Sequence, residues 1–185
     1  MASGFGHAIA AIGIGRALLF REKAKFWVLG ICCAILPDGD FIGYKLGIEY
    51  GSLFGHRGFT HSLFFALLLS ILVMIVFYRN ERSFSKTWNL LLLYFFLATA
   101  SHSVLDALTN GGHGVAFFSP FSNERYFFPW QPIEVSPLSI KGFFSEWGVK
   151  VLASEMIWIG VPALAMMTIP LLYKSKKGKH APPAR

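Results

Sequence analysis

Three apolar runs dominate the chain, at residues 62–78, 88 to about 105, and 151–173. The first is seventeen residues without a single charge. A spanning helix needs ~20 mostly apolar residues at 1.5 Å rise each, so each run is predicted to cross a membrane. The last holds Pro162 and Pro170, which membrane helices tolerate when neighbours cover the freed carbonyls. Two shorter runs, residues 5–20 and 26–36, flank the polar tip REKAK. They are expected to form a helical hairpin, with Pro37 and Gly39 ending its second arm short of a full span. The pattern as a whole predicts an all-α, polytopic helical bundle of about five helices. It forms one membrane-embedded domain, residues 1–173, with a basic tail at 174–185 read as disordered.

Composition agrees with a membrane protein. Charged residues make up 15% of the chain, against roughly a quarter in soluble domains, and mean hydropathy is +0.51. Basic residues follow the first apolar run rather than precede it, so no secretory signal is expected. Cys32 and Cys33 are the only cysteines, which excludes a disulfide framework and a cysteine-based zinc site.

The basic residues set the expected orientation. With the helix tips placed alternately, twelve of the seventeen fall on one side, among them Arg16, Lys25, Arg79, Lys86 and the lysines of the tail. Lys45, Arg57, Arg125, Lys141 and Lys150 fall on the other. The first side is therefore predicted to be cytoplasmic, with the C-terminus inside and the N-terminus outside.

The chemistry-bearing side chains gather at the other end. His7 opens helix one, and Asp38 and Asp40 follow helix two. His56 and His61 precede helix three in GHRGFTHS, His102 and Asp106 close helix four, and Glu155 lies early in helix five. Ionisable groups are costly at membrane depth, so each is a functional candidate. His102 and Asp106, at i and i+4, share a helix face and can reach one ion. Thr60 is predicted to cap helix three with His61 at its start, where the helix N-terminus would keep the imidazole neutral. Mixed His and carboxylate donors suit Zn²⁺, one or two ions, with Mn²⁺ or Fe²⁺ as alternatives. Blander readings stand beside these: a hydrogen-bonded His102–Asp106 pair, a Glu155–Lys150 ion pair, or His7 as an interfacial histidine. Arg57 suits a phosphate beside the metal, or a salt bridge to Asp38 or Asp40.

The ordered set GHAIA, LPDGD, GHRGFTHS, SHSVLD and PFS resembles the LexA-regulated, membrane-bound metal-dependent hydrolases of bacterial inner membranes. The resemblance covers roughly residues 3–160. That family is distantly similar to zinc-dependent phospholipase C, an all-helical enzyme with a zinc cluster. His7, Asp38, His56 or His61, and His102-x-x-x-Asp106 follow its ligand order. The late His-x-x-x-His pair has no counterpart, and Glu155 stands where the last carboxylate would be.

Residues 107–147 form a long connection with ten aromatics and four prolines. Loops of this length are commonly functional, and such rings favour the membrane interface. The loop is expected to be an extracytoplasmic cover over the metal site. The resulting expectation is a phospholipase-like metal-dependent hydrolase at the outer face of the inner membrane. Its partners would be membrane lipids and a phosphorylated lipid substrate, and no nucleic acid. Asp38 or Asp40 would take a proton from water and Arg57 would hold phosphate. The alternatives are a divalent metal transporter and a non-catalytic protein that uses metal for structure.

Overall fold

A computed structural model describes residues 1–18, 23–137 and 139–168. Arg21 and Glu22 of the first tip, and the basic tail, lie outside them. The chain folds as helices α1 (Gly4–Leu18), α2 (Ala24–Ile35), α3 (Phe41–Lys45), α4 (Leu63–Phe77), α5 (Lys86–Ala107), α6 (Ile140–Phe143) and α7 (Glu146–Glu155). No strand forms among the described residues; two isolated bridges, Thr109 with Ile133 and Val115 with Tyr126, are the only extended pairings.

α5 is the axis. It packs against α1, α2 and α4, and 56% of its membrane-length window is buried. Phe26, Val73, Met74, Leu91, Tyr94, Phe95 and Ala98 form the core at the end away from His102. α1 lies close against the last helix because Gly6 has no Cβ. One built there would meet Ile159 at 2.9 Å and the Glu155 carboxyl at 3.0 Å. The outward faces of α4 and the last helix carry exposed Leu68, Leu72, Ile75, Ile157, Val161 and Leu164. A belt this apolar is what a bilayer, rather than water, covers.

Two helix boundaries differ from the sequence expectation. Pro37 does not end the second arm. It occupies the first turn of a 3₁₀ segment, Leu36–Asp40, where its missing N–H is not needed. The helix therefore runs on through α3, and Ala24–Gly43 is long and apolar enough to cross a membrane. The last helix starts earlier than residue 151; its described part is Glu146–Thr168, with a π turn at Met156–Gly160, and the expected end at residue 173 with Pro170 lies outside the described residues. Val161 N–H donates to Met156 O in that turn. The widened turn precedes Pro162, which has no N–H for the regular ladder.

The long connection is ordered. Val115 and Tyr126 exchange backbone hydrogen bonds of 2.9 and 3.0 Å. Leu63 N–H reaches Phe117 O, and Phe128 N–H reaches Ala107 O. The loop is thus tied to the site end of α4 and α5. Phe118, Phe121, Phe128 and Trp130 remain exposed on it.

Candidate metal centre

Three short elements meet at one end of the bundle. The 3₁₀ segment after α2 carries Asp38 and Asp40. A second 3₁₀ turn, Phe59–His61, carries His61, and the last two turns of α5 carry His102 and Asp106. The helix cap differs from expectation. Ser62, not Thr60, caps α4, its Oγ accepting from Phe65 N–H at 3.0 Å. Thr60 instead donates to Asp40 Oδ2 at 2.7 Å, and His61 stands just before the helix.

Four donors converge there: Asp38, His61, His102 and Asp106 each offer one atom within 4.8 Å of the others. His61 Nε2 lies 3.0 Å from His102 Nε2, 3.8 Å from Asp38 Oδ1 and 3.6 Å from Asp106 Oδ2. His102 Nε2 lies 3.3 Å from Asp38 Oδ1 and 4.0 Å from Asp106 Oδ2. A tetrahedral ion with bonds of 2.0–2.1 Å has donors about 3.4 Å apart, in the middle of this range. Asp38 Oδ1 is buried without a hydrogen bond, and Asp106 Oδ2 has only the ion pair to Arg57. Leaving a carboxylate oxygen such as Asp38 Oδ1 so is costly, and a cation removes the cost. The donor set therefore fits a divalent ion such as Zn²⁺.

A second rank of contacts aims the rings. His102 Nδ1 donates to Ala34 O at 2.7 Å. His61 Nδ1 lies 3.1 Å from Asp40 Oδ2. With Nδ1 engaged in this way, each ring would turn Nε2 to an ion at the centre, the carboxylate–histidine arrangement that metal sites use to fix the tautomer. Asp40 also accepts from Arg57 N–H at 3.1 Å and from His56 Nδ1 at 2.6 Å. With its oxygens engaged in this way, Asp40 is a positioning residue and a poor candidate for taking a proton from water. His56 belongs with Asp40 and His61 in an adjoining group of donors, not among the four.

The remaining candidates surround the centre. His7 stacks on His102 at a centroid distance of 3.8 Å, its Nε2 3.5 Å from Asp106 Oδ1, and neither of its ring nitrogens has a hydrogen bond. Glu155 is drawn to the N-terminal segment rather than to Lys150, accepting from Ser3 N–H and Ser3 Oγ at 2.5 Å each. Arg57 pairs with neither Asp38 nor Asp40 through its guanidinium. Its Nε lies 3.1 Å from Asp106 Oδ2, and its other nitrogens donate to Gly111 O at 2.9 Å and Thr109 Oγ1 at 3.0 Å. Its backbone sits at φ 61, a left-handed conformation costing of order 1 kcal/mol or more for a non-glycine residue. The Asp40 contact and a bond from Ala116 N–H to Arg57 O hold it there. Gly112, at φ +93, brings the loop against the guanidinium where a Cβ would lie 2.7 Å from it. His113 packs on Tyr50 outside the centre.

The charge state of His61 departs from the helix-terminus expectation. Burial alone would lower its pKa, but the close carboxylates of Asp106, Asp38 and Asp40 outweigh burial and raise it from 6.5 to about 10. Three close carboxylates dominate the partial charge of a helix end. In the metal-free protein His61 therefore carries a proton where an ion would sit. Thr60, Thr109 and the Ala34 carbonyl were not evident as site groups in the sequence. Only the position of Thr60 inside GHRGFTHS offered a signal.

An apolar, lipid-facing helical bundle with a buried His–Asp centre at one end defines a polytopic membrane protein with a candidate metal site. The chain belongs to the YdjM inner membrane protein family, which it matches over residues 1–178. It is 40% identical over 163 residues to the inner membrane protein YbcI of Escherichia coli (strain K12), covering 87% of this chain and 92% of that protein. No solved structure matches the chain.

Proposed function

We propose that the protein is a membrane-bound, metal-dependent hydrolase that cleaves a phosphoester of a lipid or lipid-linked substrate at the outer face of the inner membrane. The observation that carries this reading is the convergence of Asp38 Oδ1, His61 Nε2, His102 Nε2 and Asp106 Oδ2, with Asp38 Oδ1 buried without a hydrogen bond. A divalent ion held by them supplies Lewis-acid chemistry, polarising a phosphoryl oxygen and making water acidic enough to attack at neutral pH. Asp40 holds His61 in the ligating tautomer, and Ala34 O does the same for His102. Arg57 balances the charge of Asp106 and faces the adjoining cavity, where an anionic group would approach. The twelve-to-five division of basic residues supports the extracytoplasmic placement.

A second reading is a metal-stabilised, non-catalytic membrane protein, favoured by the complete burial of His61, His102 and Asp106. Against it, the Asp38 side chain keeps 12% exposure, and an open position marks catalytic rather than structural sites. Metal analysis of the purified protein, combined with mass spectrometry of a lipid extract before and after incubation, separates them. Bound zinc with a shortened lipid species supports hydrolysis; bound zinc with every lipid intact supports structure.

A further inference from the structure

Residues 1–3 lie folded against the metal centre, each tied to a different element. Met1 O accepts from Ser136 N–H at 2.9 Å. Ala2, fully buried, donates its N–H to Asp106 Oδ1 at 2.8 Å. Ser3 gives both its N–H and its hydroxyl proton to the Glu155 carboxylate. The same Oγ accepts from Gly6 N–H at 3.3 Å, the bond of a helix N-cap, and Ser3 O accepts from His7 N–H at 3.2 Å. Ser3 thus fixes where α1 starts, and with it the His7 ring stacked on His102.

Glu155 is the fixed point of this strap. Only 3% of it is exposed, and no lysine, arginine or histidine pairs with it among the described residues. Burying a carboxylate is costly, and here one residue, Ser3, supplies the donors for both oxygens. Those oxygens are not among the four that converge on the centre, nor in the adjoining group around Asp40.

We propose that Glu155 is a positioning residue for the metal centre, acting through Ser3 and Ala2 on Asp106 rather than ligating an ion itself. Glu155 holds Ser3, Ser3 holds the peptide of Ala2, and Ala2 N–H holds Asp106 Oδ1. With Oδ1 fixed, Asp106 keeps Oδ2 turned toward His61 and His102, at 3.6 and 4.0 Å. A carboxylate free to rotate would lose that aim. The proposal rests on the metal-dependent reading of the site. It adds the device by which the last helix, which supplies none of the four donors, sets the direction of one of them.

Positioning and ligation diverge at glutamine. The amide keeps an acceptor for Ser3 N–H, and its NH₂ can donate to the Ser3 hydroxyl, which accepts as well as donates. As a metal ligand it lacks the charge. Zinc affinity is measured by chelator competition on purified full-length wild type, Glu155→Ala and Glu155→Gln in detergent. Exchange of the Ala2 amide is followed in the metal-free proteins by NMR of isotope-labelled alanine. Glu155→Ala should weaken zinc binding about 10- to 100-fold, as loss of a ligand's orienting partner does, and should speed Ala2 exchange by a similar factor. Glu155→Gln should recover most of both. Ser3→Ala removes one bond and leaves Glu155 the other, so it keeps the test open if Glu155→Ala does not fold; it should shift both readings the same way by roughly three- to tenfold. Glutamine as damaging as alanine, or wild-type affinity in both alanine variants, would overturn the proposal. Wild-type protein that binds no zinc, with Ala2 exchange still governed by Glu155, refutes the metal-dependent reading while upholding the link from Glu155 to Asp106.

Discussion

His61 and His102 face each other through their Nε2 atoms at 3.0 Å, and Nδ1 of each is engaged elsewhere, by Asp40 and by Ala34 O. Two neutral rings held this way oppose lone pair to lone pair. The arrangement persists only with a positive species between them, and Asp38 and Asp106 supply the negative charge to retain one. In the metal-free protein that species is the proton on His61. An ion with tetrahedral preference fits the same space.

His102→Ala and Asp106→Ala should each abolish stoichiometric metal, because each deletes one of four donors. Asp40→Asn should instead weaken metal affinity roughly 10- to 100-fold, the range for losing a partner that orients a ligand. Elemental analysis of dialysed proteins, followed by zinc titration, distinguishes the two classes. Equal metal retention in all three variants would contradict the assignment of donors.

Metal uptake should release protons. With its pKa raised to about 10, His61 is protonated at pH 7 in the metal-free state, and the incoming ion displaces that proton. Affinity should therefore rise as pH rises, by up to about tenfold per unit, while pH stays below that value. The stability sign is the reverse for the metal-free fold. The contacts that raise this pKa are fully present below about 6.5 and are lost as pH passes upward through about 10. Zinc added to weakly buffered protein at pH 7 should acidify the solution by at least one proton per ion bound, read with an indicator dye.

Much of this was legible before any coordinates. The i, i+4 spacing of His102 and Asp106 on an apolar helix already placed two donors on one face. Charge-free length also marked α4 and α5 as apolar helices, although of the two only α5 is long enough to cross a membrane, α4 being 15 residues. The division of work between Asp38 and Asp40 was not legible. Two residues apart in a tight turn, they face different neighbours, and only packing shows that Asp38 keeps a free oxygen while Asp40 spends its own on Thr60, His56 and Arg57. The partner of Arg57 was hidden for a similar reason. Asp106 comes beside it only when the end of α5 docks against the GHRGFTHS turn, a contact that no local pattern encodes. Pro37 misled because its position within a helical turn, not its identity, decides whether it breaks one.

Cysteines placed at Ser52 and Ser83 should label from opposite sides of the membrane. The two residues lie in the connections at opposite ends of α4, and the basic asymmetry predicts Ser83 on the cytoplasmic side. Cys32 is exposed and Cys33 buried, so both are first replaced by alanine. An impermeant maleimide on intact spheroplasts should modify the Ser52 variant and spare the Ser83 variant until the cells are lysed. Inverse labelling would move the metal centre to the cytoplasmic face and direct the substrate search to inner-leaflet lipids.

Arg57→Lys tests whether the guanidinium is framework, substrate contact or both. The three contacts to Asp106, Thr109 and Gly111 use separate nitrogens in one plane, which an ammonium cannot reproduce. Losing part of a buried ion pair costs up to about 3–5 kcal/mol when a charge is left unpaired; lysine keeps the charge, so a smaller loss of about 1–3 kcal/mol is expected, seen as a lower unfolding temperature. Asp106 remains a donor, so metal content should stay near normal. Turnover of the cleaved lipid should nevertheless fall roughly ten- to a hundredfold, the equivalent of one charge-assisted contact of ~1.5–3 kcal/mol. Adding saturating metal should not restore it. A variant with lowered stability but full turnover would confine Arg57 to holding Asp106 and the loop at Gly112.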